Sequence, residues 1–350
     1  MWTRAPHLAG NTGLSRYYDF GEGPVPEGLK DESGYYRNVA AYVLGHPSSD
    51  PELIETHEGE PGTSRPSAAL GPMFTLQLCE AADSGDKCGP LKKLFLTRDF
   101  YKGDRAMRES GFDISFRFGP YSAQTHHYAP VCLNSLLYKT EKDLEHISLL
   151  LGKREDATEW KQRAHIRKQR INQFLWDERR GMFFDYNFDT RRRSVYEYAT
   201  TLYPLWAGLA SREQALAVRS HLAVFERAGG LAMSHTESGV QWDYPYGWAP
   251  IQLLGVKGLR RYRFNADADR ITHKFLSMVT ENFQRDGTIR EKYNVVTRSS
   301  ETKVATGYQS NEVGFGWTNG VFLELLHDLP KESIYHRTKE QNSSSVRLPN

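Results

Sequence analysis

Apolar positions recur at helical spacing along most of the chain. Leu133, Leu137, Leu144, Ile147 and Leu151 follow one another at spacings of 4, 7, 3 and 4, which is one face of a helix. Ala157, Trp160, Ala164, Ile171 and Phe174 repeat the pattern. Ser211 followed by Gln214 reads as a capping box, opening a helix on which Ala215, Val218, Leu222 and Phe225 share a face. Ala268, Ile271, Phe275 and Met278 mark another, and Val321 to Leu329 one more, stopped by Pro330. Shorter helices are expected over Gly34 to Leu44, Tyr101 to Glu109, Val195 to Ala210 and Pro250 to Leu259. About nine helices and few strands predict an all-α fold.

Two of these helices run into similar stretches. WDERRGMFFDYNF (Trp176 to Phe188) and QRDGTIREKYNV (Gln284 to Val295) each read as an Asp/Gly turn followed by a short extended segment. Repeated helical hairpins with ribbons gathered at one end are the expectation. His46 to Gly71, rich in Pro, Gly, Ser, Asp and Glu, reads as a long loop, and the wider span of about 46–90 as an insertion. Lys331 to Asn350 reads as a polar tail. Neither segment separates two complete cores, so residues 1–330 are expected to form one domain.

Charge and composition narrow the partners. With 45 Lys+Arg against 43 Asp+Glu, the chain has no positive excess to hold a phosphate backbone, so nucleic acid is not expected. No apolar run approaches the ~20 residues of a spanning helix, so no membrane partner is expected, and Met1 to Asn11 lacks the apolar core of a secretory signal. The compartment stays open. Cys79 and Cys88 are close enough to pair, but a chain this large does not need staples, and three free thiols are the expectation. HExxH is absent and no His or Cys pair sits at ligand spacing, so no metal is expected. His126-His127 reads as an isolated pair at the edge of the core.

Dinucleotide, phosphate-loop and GxSxG motifs are also absent. What remains is carboxylates set among aromatic residues, the chemistry of sugars. In SGFDISFRFGP (Ser110 to Pro120), Asp113 lies among Phe112, Ile114, Phe116 and Phe118, a setting that favours a protonated acid. Arg117, four residues on, is an alternative partner that would make Asp113 structural. QWDYPYGWAP (Gln241 to Pro250) is too irregular for a core helix and reads as an aromatic platform, with Gln241 and Asp243 as hydrogen-bonding groups. A packed corner is the other reading of it. Glu291 stands in the stretch after a turn, and strand alternation would send Lys292 to the opposite face. Gly314, Gly316 and Gly320 of GFGWTNG would give a lid its backbone freedom.

Together these stretches resemble the trehalases of glycoside hydrolase family 37. QWDYPYGWAP is similar almost residue for residue to one family signature. SGFDISFRF resembles SGWDFSSRW, EKYNV resembles EKYDV, PVCLNSLLYKTEKDL (Pro130 to Leu144) resembles a helix reading PVDLNSL, and GFGWTNG resembles the closing segment. All occur in the family's order, over roughly residues 12 to 329.

The resemblance implies an (α/α)6 toroid in which two carboxylates cleave α,α-trehalose to two glucose molecules with inversion. Carried over by motif, the general acid falls on Asp113 and the general base on Glu291, with Glu27, Gly111 and Trp242 as sugar contacts. It implies a monomer acting on a small sugar with no cofactor. The family's other signature, of the PGGRFxExYxWDxY type, is absent, so a toroid incomplete at the N-terminus is expected. Val25 stands for the usual Arg, Phe112 for Trp and Cys132 for Asp, and the glycine-rich lid is reduced to SSETKVATGYQSNEV (Ser299 to Val313). Two further readings stay open: a catalytically impaired sugar-binding fragment, and another inverting α-glucosidase on the same toroid.

Overall fold

A computed structural model describes residues 1–30, 34–46, 51–56, 71–79 and 88–329. The principal helices are α1 (Tyr35–Gly45), α2 (Arg98–Ser110), α3 (Val131–Leu150), α4 (Arg154–Phe174), α5 (Arg212–Ser220), α6 (Ala249–Arg261), α7 (Asn265–Asp286) and α8 (Gly316–His327). Helices α3 and α4 pack along each other across the short link 151–153, and α6 packs on α7 across 262–264. These are helical hairpins of the kind the periodicity predicts. Among the described residues no helix is long and apolar enough to cross a membrane.

Local chemistry explains most boundaries. Ser211 caps α5 by accepting from the Gln214 N–H, and Gln214 returns a side-chain bond to the Ser211 N–H, completing the expected box. The helix expected from Ser211 to Phe225 breaks at His221 and resumes as one turn, Leu222–Phe225. Thr97 caps α2, and Gly111 ends it in the left-handed conformation at φ 75°. Over Val195 to Ala210 the expected helix does not form: only Ala199–Leu202 and Tyr203–Trp206 are helical. Tyr198 instead bridges Ser234, and the run through Pro204 stops at Ala207, ahead of Gly208 at φ 71°.

Short ribbons follow the helices. Trp176–Asp177 pairs with Met182–Phe183, and Tyr186–Asn187 lies between Tyr128–Ala129 and Arg192–Arg193. Glu226–Arg227 pairs with Gly230–Leu231, and Tyr246–Trp248 with Lys292–Asn294, all antiparallel. Backbone bonds join the ribbons: Ala199 N–H to Met233 O, Met233 N–H to Tyr246 O, Val295 N–H to Pro245 O and Gly229 N–H to Val295 O, at 2.7–3.1 Å. The main core draws on residues from Ala9 to Leu329, with Phe225, Trp248, Ile271 and Phe275 buried in it.

The described flanks of the expected 46–90 insertion are ordered strand rather than loop. Ile54–Thr56 and Met73–Leu76 pair on either side of Lys92–Leu96, and Leu53, Leu76, Leu94 and Leu96 close a second core against α1. Cys79 and Cys88 form a disulfide, so the expectation of free thiols fails for this pair, while Cys132 is a buried free thiol. The tail expected over 331–350 lies outside the described residues.

Candidate active site

Helix α2 delivers the candidate acid. Its face carrying Phe100, Ala106 and Met107 is buried, and Gly103 lets it approach the 118–123 loop: a Cβ there would stand 1.5 Å from Ala123 O. The buried Asp104 on the same helix accepts from the Tyr35 and Tyr36 hydroxyls at 2.9 Å each. Beyond Gly111 the chain turns out into Phe112 and the partly buried Asp113.

The loop after α2 is stitched to the QWD segment, more than a hundred residues further on. Gln241 Nε2 donates to Asp113 O, Trp242 N–H to Ile114 O at 3.1 Å, and Phe116 N–H to Asp243 Oδ2 at 2.7 Å. Gln241 and Asp243 thus hold the Asp113–Phe116 backbone in place. Asp243 is fully buried; burial pushes its carboxyl up to about 6, against the stabilising bonds from the Ser238 hydroxyl and the Phe116 N–H. Phe112 meets the Trp242 ring at 5.0 Å and Tyr198 at 5.9 Å.

Arg117 is not the partner of Asp113. Its Nε and Nη2 bind Asp185 Oδ2 and Oδ1 at 2.7 and 2.6 Å, with both residues buried. Asp185 also accepts from the Val131 N–H at 2.8 Å, tying the start of α3 to the acid's loop. Arg117 Nη1 reaches the Cys132 sulfur at 3.4 Å, and its guanidinium sits among Phe112, Phe118 and Tyr198.

Trp242 and Trp248 stack with centroids 3.9 Å apart and planes within 2°. The partly buried Trp317 stands edge-on to both, at 6.3 and 5.6 Å, and its Nε1 donates to Glu291 O at 3.5 Å. Phe112, next to Asp113, leans on Trp242, and Trp317 leans on both indoles while holding Glu291. One aromatic cluster around Trp242 is therefore bordered by Phe112, the neighbour of Asp113, and by Trp317, which holds the Glu291 carbonyl. Trp242 is almost wholly buried, so much of QWDYPYGWAP is a packed corner as well as a platform.

Lys292 departs from the alternation argument. Its ammonium lies 2.9 Å from Glu291 Oε2 and 2.7 Å from Ser310 O, over the Trp248 ring. The strand begins at Lys292, and Glu291 occupies the bend before it, so the two side chains need not alternate. Gly316 and Gly320 depart too: they lie within α8, and only Gly314 uses a positive φ, 74°. Glu291 N–H donates to Glu312 O at 2.9 Å, so the 299–313 segment borders the bend.

Glu27 joins the same end of the molecule. It lies in the helical turn Pro26–Lys30 and bonds Arg108 Nη1 at 3.4 Å and the Tyr308 hydroxyl. Arg108 belongs to the last turn of α2, and Tyr308 to the segment bordering Glu291. Gly111 is exposed, and a Cβ there would meet nothing within 4 Å. Asp185, Lys292, Tyr308 and Trp317 were not singled out as site residues from sequence. The signals for two of them are Asp185 within the aromatic FFDYNF stretch and Trp317 within GFGWTNG.

Helical hairpins with short ribbons gathered at one end are the build of the (α/α)6 toroids. The chain belongs to the trehalase family, whose family model matches residues 90–330. It is 33% identical over 362 residues to the cytosolic neutral trehalase of Neurospora crassa, covering 92% of this chain and 44% of that one. A probable trehalase of Saccharomyces cerevisiae is 39% identical over 253 residues, covering 64% of this chain and 32% of the relative. The solved structure of neutral trehalase Nth1 from Saccharomyces cerevisiae superposes with a TM-score of 0.69 at 29% identity, over 96% of this chain and 56% of that one. The chain thus spans less than half the length of the curated relatives it matches.

Proposed function

We propose that this end of the molecule hydrolyses α,α-trehalose to two glucose molecules with inversion, Asp113 acting as general acid and Glu291 as general base. The observation that supports the reading is the shared aromatic cluster: segments remote in sequence border it from two sides, Phe112 beside Asp113 and Trp317 on the Glu291 carbonyl. Membership of the trehalase family supports trehalose as the substrate.

In this mechanism Asp113 protonates the glycosidic oxygen as the bond to the anomeric carbon breaks. Glu291 takes a proton from a water that attacks the opposite face. Inversion of this kind needs carboxyls about 6.5–9.5 Å apart, leaving room for that water. The bound ammonium of Lys292 and the side-chain bonds that Trp317 and Thr318 donate to its carbonyl would orient Glu291. Glu27, Gly111 and the edge of Trp242 would contact sugar hydroxyls and the pyranose face.

Following the chain with α,α-trehalose by proton NMR tests the proposal. One equivalent of β-glucose should appear before mutarotation, with one of α-glucose, and maltose or kojibiose should turn over far more slowly. Trehalose binding in a calorimeter without glucose release would favour a sugar-binding role instead, and equal turnover of maltose would move the specificity to another α-glucoside.

A further inference from the structure

Helix α2 has a second cluster at its other end. Asp99 lies in its first turn and Gly111 at its C-terminus, so the two ends are about 18 Å apart at 1.5 Å per residue. There the His126-His127 pair is not isolated. Thr125–His127 form a single 3-10 turn that sets the two imidazoles beside each other, centroids 3.8 Å apart. Both turn a nitrogen toward one carboxylate: His126 Nε2 lies 3.0 Å from Asp99 Oδ1, and His127 Nε2 lies 3.3 Å from Asp99 Oδ2. Among the described residues this is a group whose three ligand atoms fall within 4.8 Å of one another.

Those separations suit a common ligated centre. Two ligands about 2.0–2.1 Å from one ion at a tetrahedral angle stand about 3.3 Å apart. The chemistry behind them fits as well. His127 turns its other nitrogen, Nδ1, to the Asp189 carboxylate. A proton held there fixes the tautomer that leaves the Nε2 lone pair for a metal, the usual arrangement behind a ligating imidazole. Asp189 is itself positioned, because Asn187 Oδ1 accepts from the Asp189 and Thr190 N–H groups at 3.1 and 2.9 Å. Phe188 N–H donates to His127 O at 3.1 Å, and Gln124 O accepts from the His127 N–H at 2.9 Å. The nearby Arg16 directs its Nε and Nη1 at the carbonyls of Pro6 and His126.

Access is also present. The His126 side chain is buried, but Asp99 is 43% and His127 27% exposed, leaving one side open to an entering ion and its waters. We propose that Asp99, His126 and His127 bind one divalent ion of the zinc class, with Asp189 orienting His127. Two imidazoles and one carboxylate favour Zn²⁺, Co²⁺ or Ni²⁺ over the oxygen-seeking Mg²⁺ and Ca²⁺. The ion would fasten the start of α2 to the ribbon at Tyr186–Asn187, remote from Asp113. The proposal does not depend on the chain's hydrolytic activity.

Titrating ZnCl₂ into the chelator-stripped 350-residue chain in a calorimeter tests it. One equivalent should bind at this site. Asp99→Asn and His127→Ala, both at accessible positions, should each weaken it at least tenfold, and Asp189→Asn about tenfold. Absorption of Co²⁺ bound to the unaltered chain, displaced by equimolar Zn²⁺, checks the site without any substitution. No uptake of either ion, uptake unchanged in Asp99→Asn and His127→Ala, or tighter binding of Mg²⁺ than of Zn²⁺ would each overturn it.

Discussion

Arg117 closes its guanidinium fork on Asp185, at 2.6 and 2.7 Å, and not on Asp113 four residues before it. The pair is fully enclosed and also anchors the start of α3 through the Val131 N–H. Removing one member leaves an unpaired charge in the core. Arg117→Met should therefore lose about 3–5 kcal/mol in urea unfolding, and Asp185→Leu added to it should recover part of that loss. A single substitution that costs less than 1 kcal/mol would show that the pair matters little to stability.

Asp243 gives a pH dependence of definite sign. Its carboxyl is pushed from 3.8 to about 6 by burial, so the folded protein prefers the protonated acid more than the unfolded chain does. The contribution is present below about pH 4 and is lost as the pH rises through about 6. Compared with Asp243→Asn, the unaltered chain should lose up to about 3 kcal/mol of stability between pH 4 and pH 7. Denaturant unfolding of both proteins across that range measures it; a flat or rising difference would contradict the assignment.

Glu291→Gln should do two separable things. It should cut trehalose hydrolysis by about 10²–10⁴, as expected for loss of a catalytic base. It should also lower the unfolding temperature, because buried Lys292 loses its counter-charge. Adding Lys292→Met should restore much of the stability and none of the rate. If stability and rate returned together, Glu291 would be acting only as a structural partner of Lys292.

For the acid, Asp113→Asn should lower kcat by a similar factor and leave the circular dichroism spectrum and trehalose affinity nearly unchanged, since the Gln241 contact is to its backbone. Glu27→Ala should instead raise KM, because it removes the proposed sugar contact and frees the Arg108 and Tyr308 groups that it joins. Steady-state kinetics with trehalose separates the two.

The long helices were legible from spacing, though not always from burial: the pattern from Leu133 to Leu151 lies almost wholly within Val131–Leu150, yet Ile147 and Leu151 are exposed while Tyr138, Glu141 and Ser148 are buried. The residues near Val195 misled because their apolar spacing comes from an extended stretch, in which Tyr196 and Tyr198 approach each other, rather than from a helix. At the candidate site, Asp113 and the QWD segment stood out as irregular clusters of aromatic and acidic residues. Asp185 as the partner of Arg117, and Asp99 as the partner of His126, did not, because each pair meets only through tertiary contact. Alternation failed for Glu291 because a bend has no two-residue period.

Three hydrogen bonds, donated by Gln241 and Trp242 and accepted by Asp243, tie that segment to the Asp113–Phe116 backbone and make the two stretches a single mechanical part. Grafting the acid's loop alone onto another scaffold would leave it without a mould. A transplant would have to carry the distant decapeptide with it, and an insertion that shifts either stretch by one residue would disarm both.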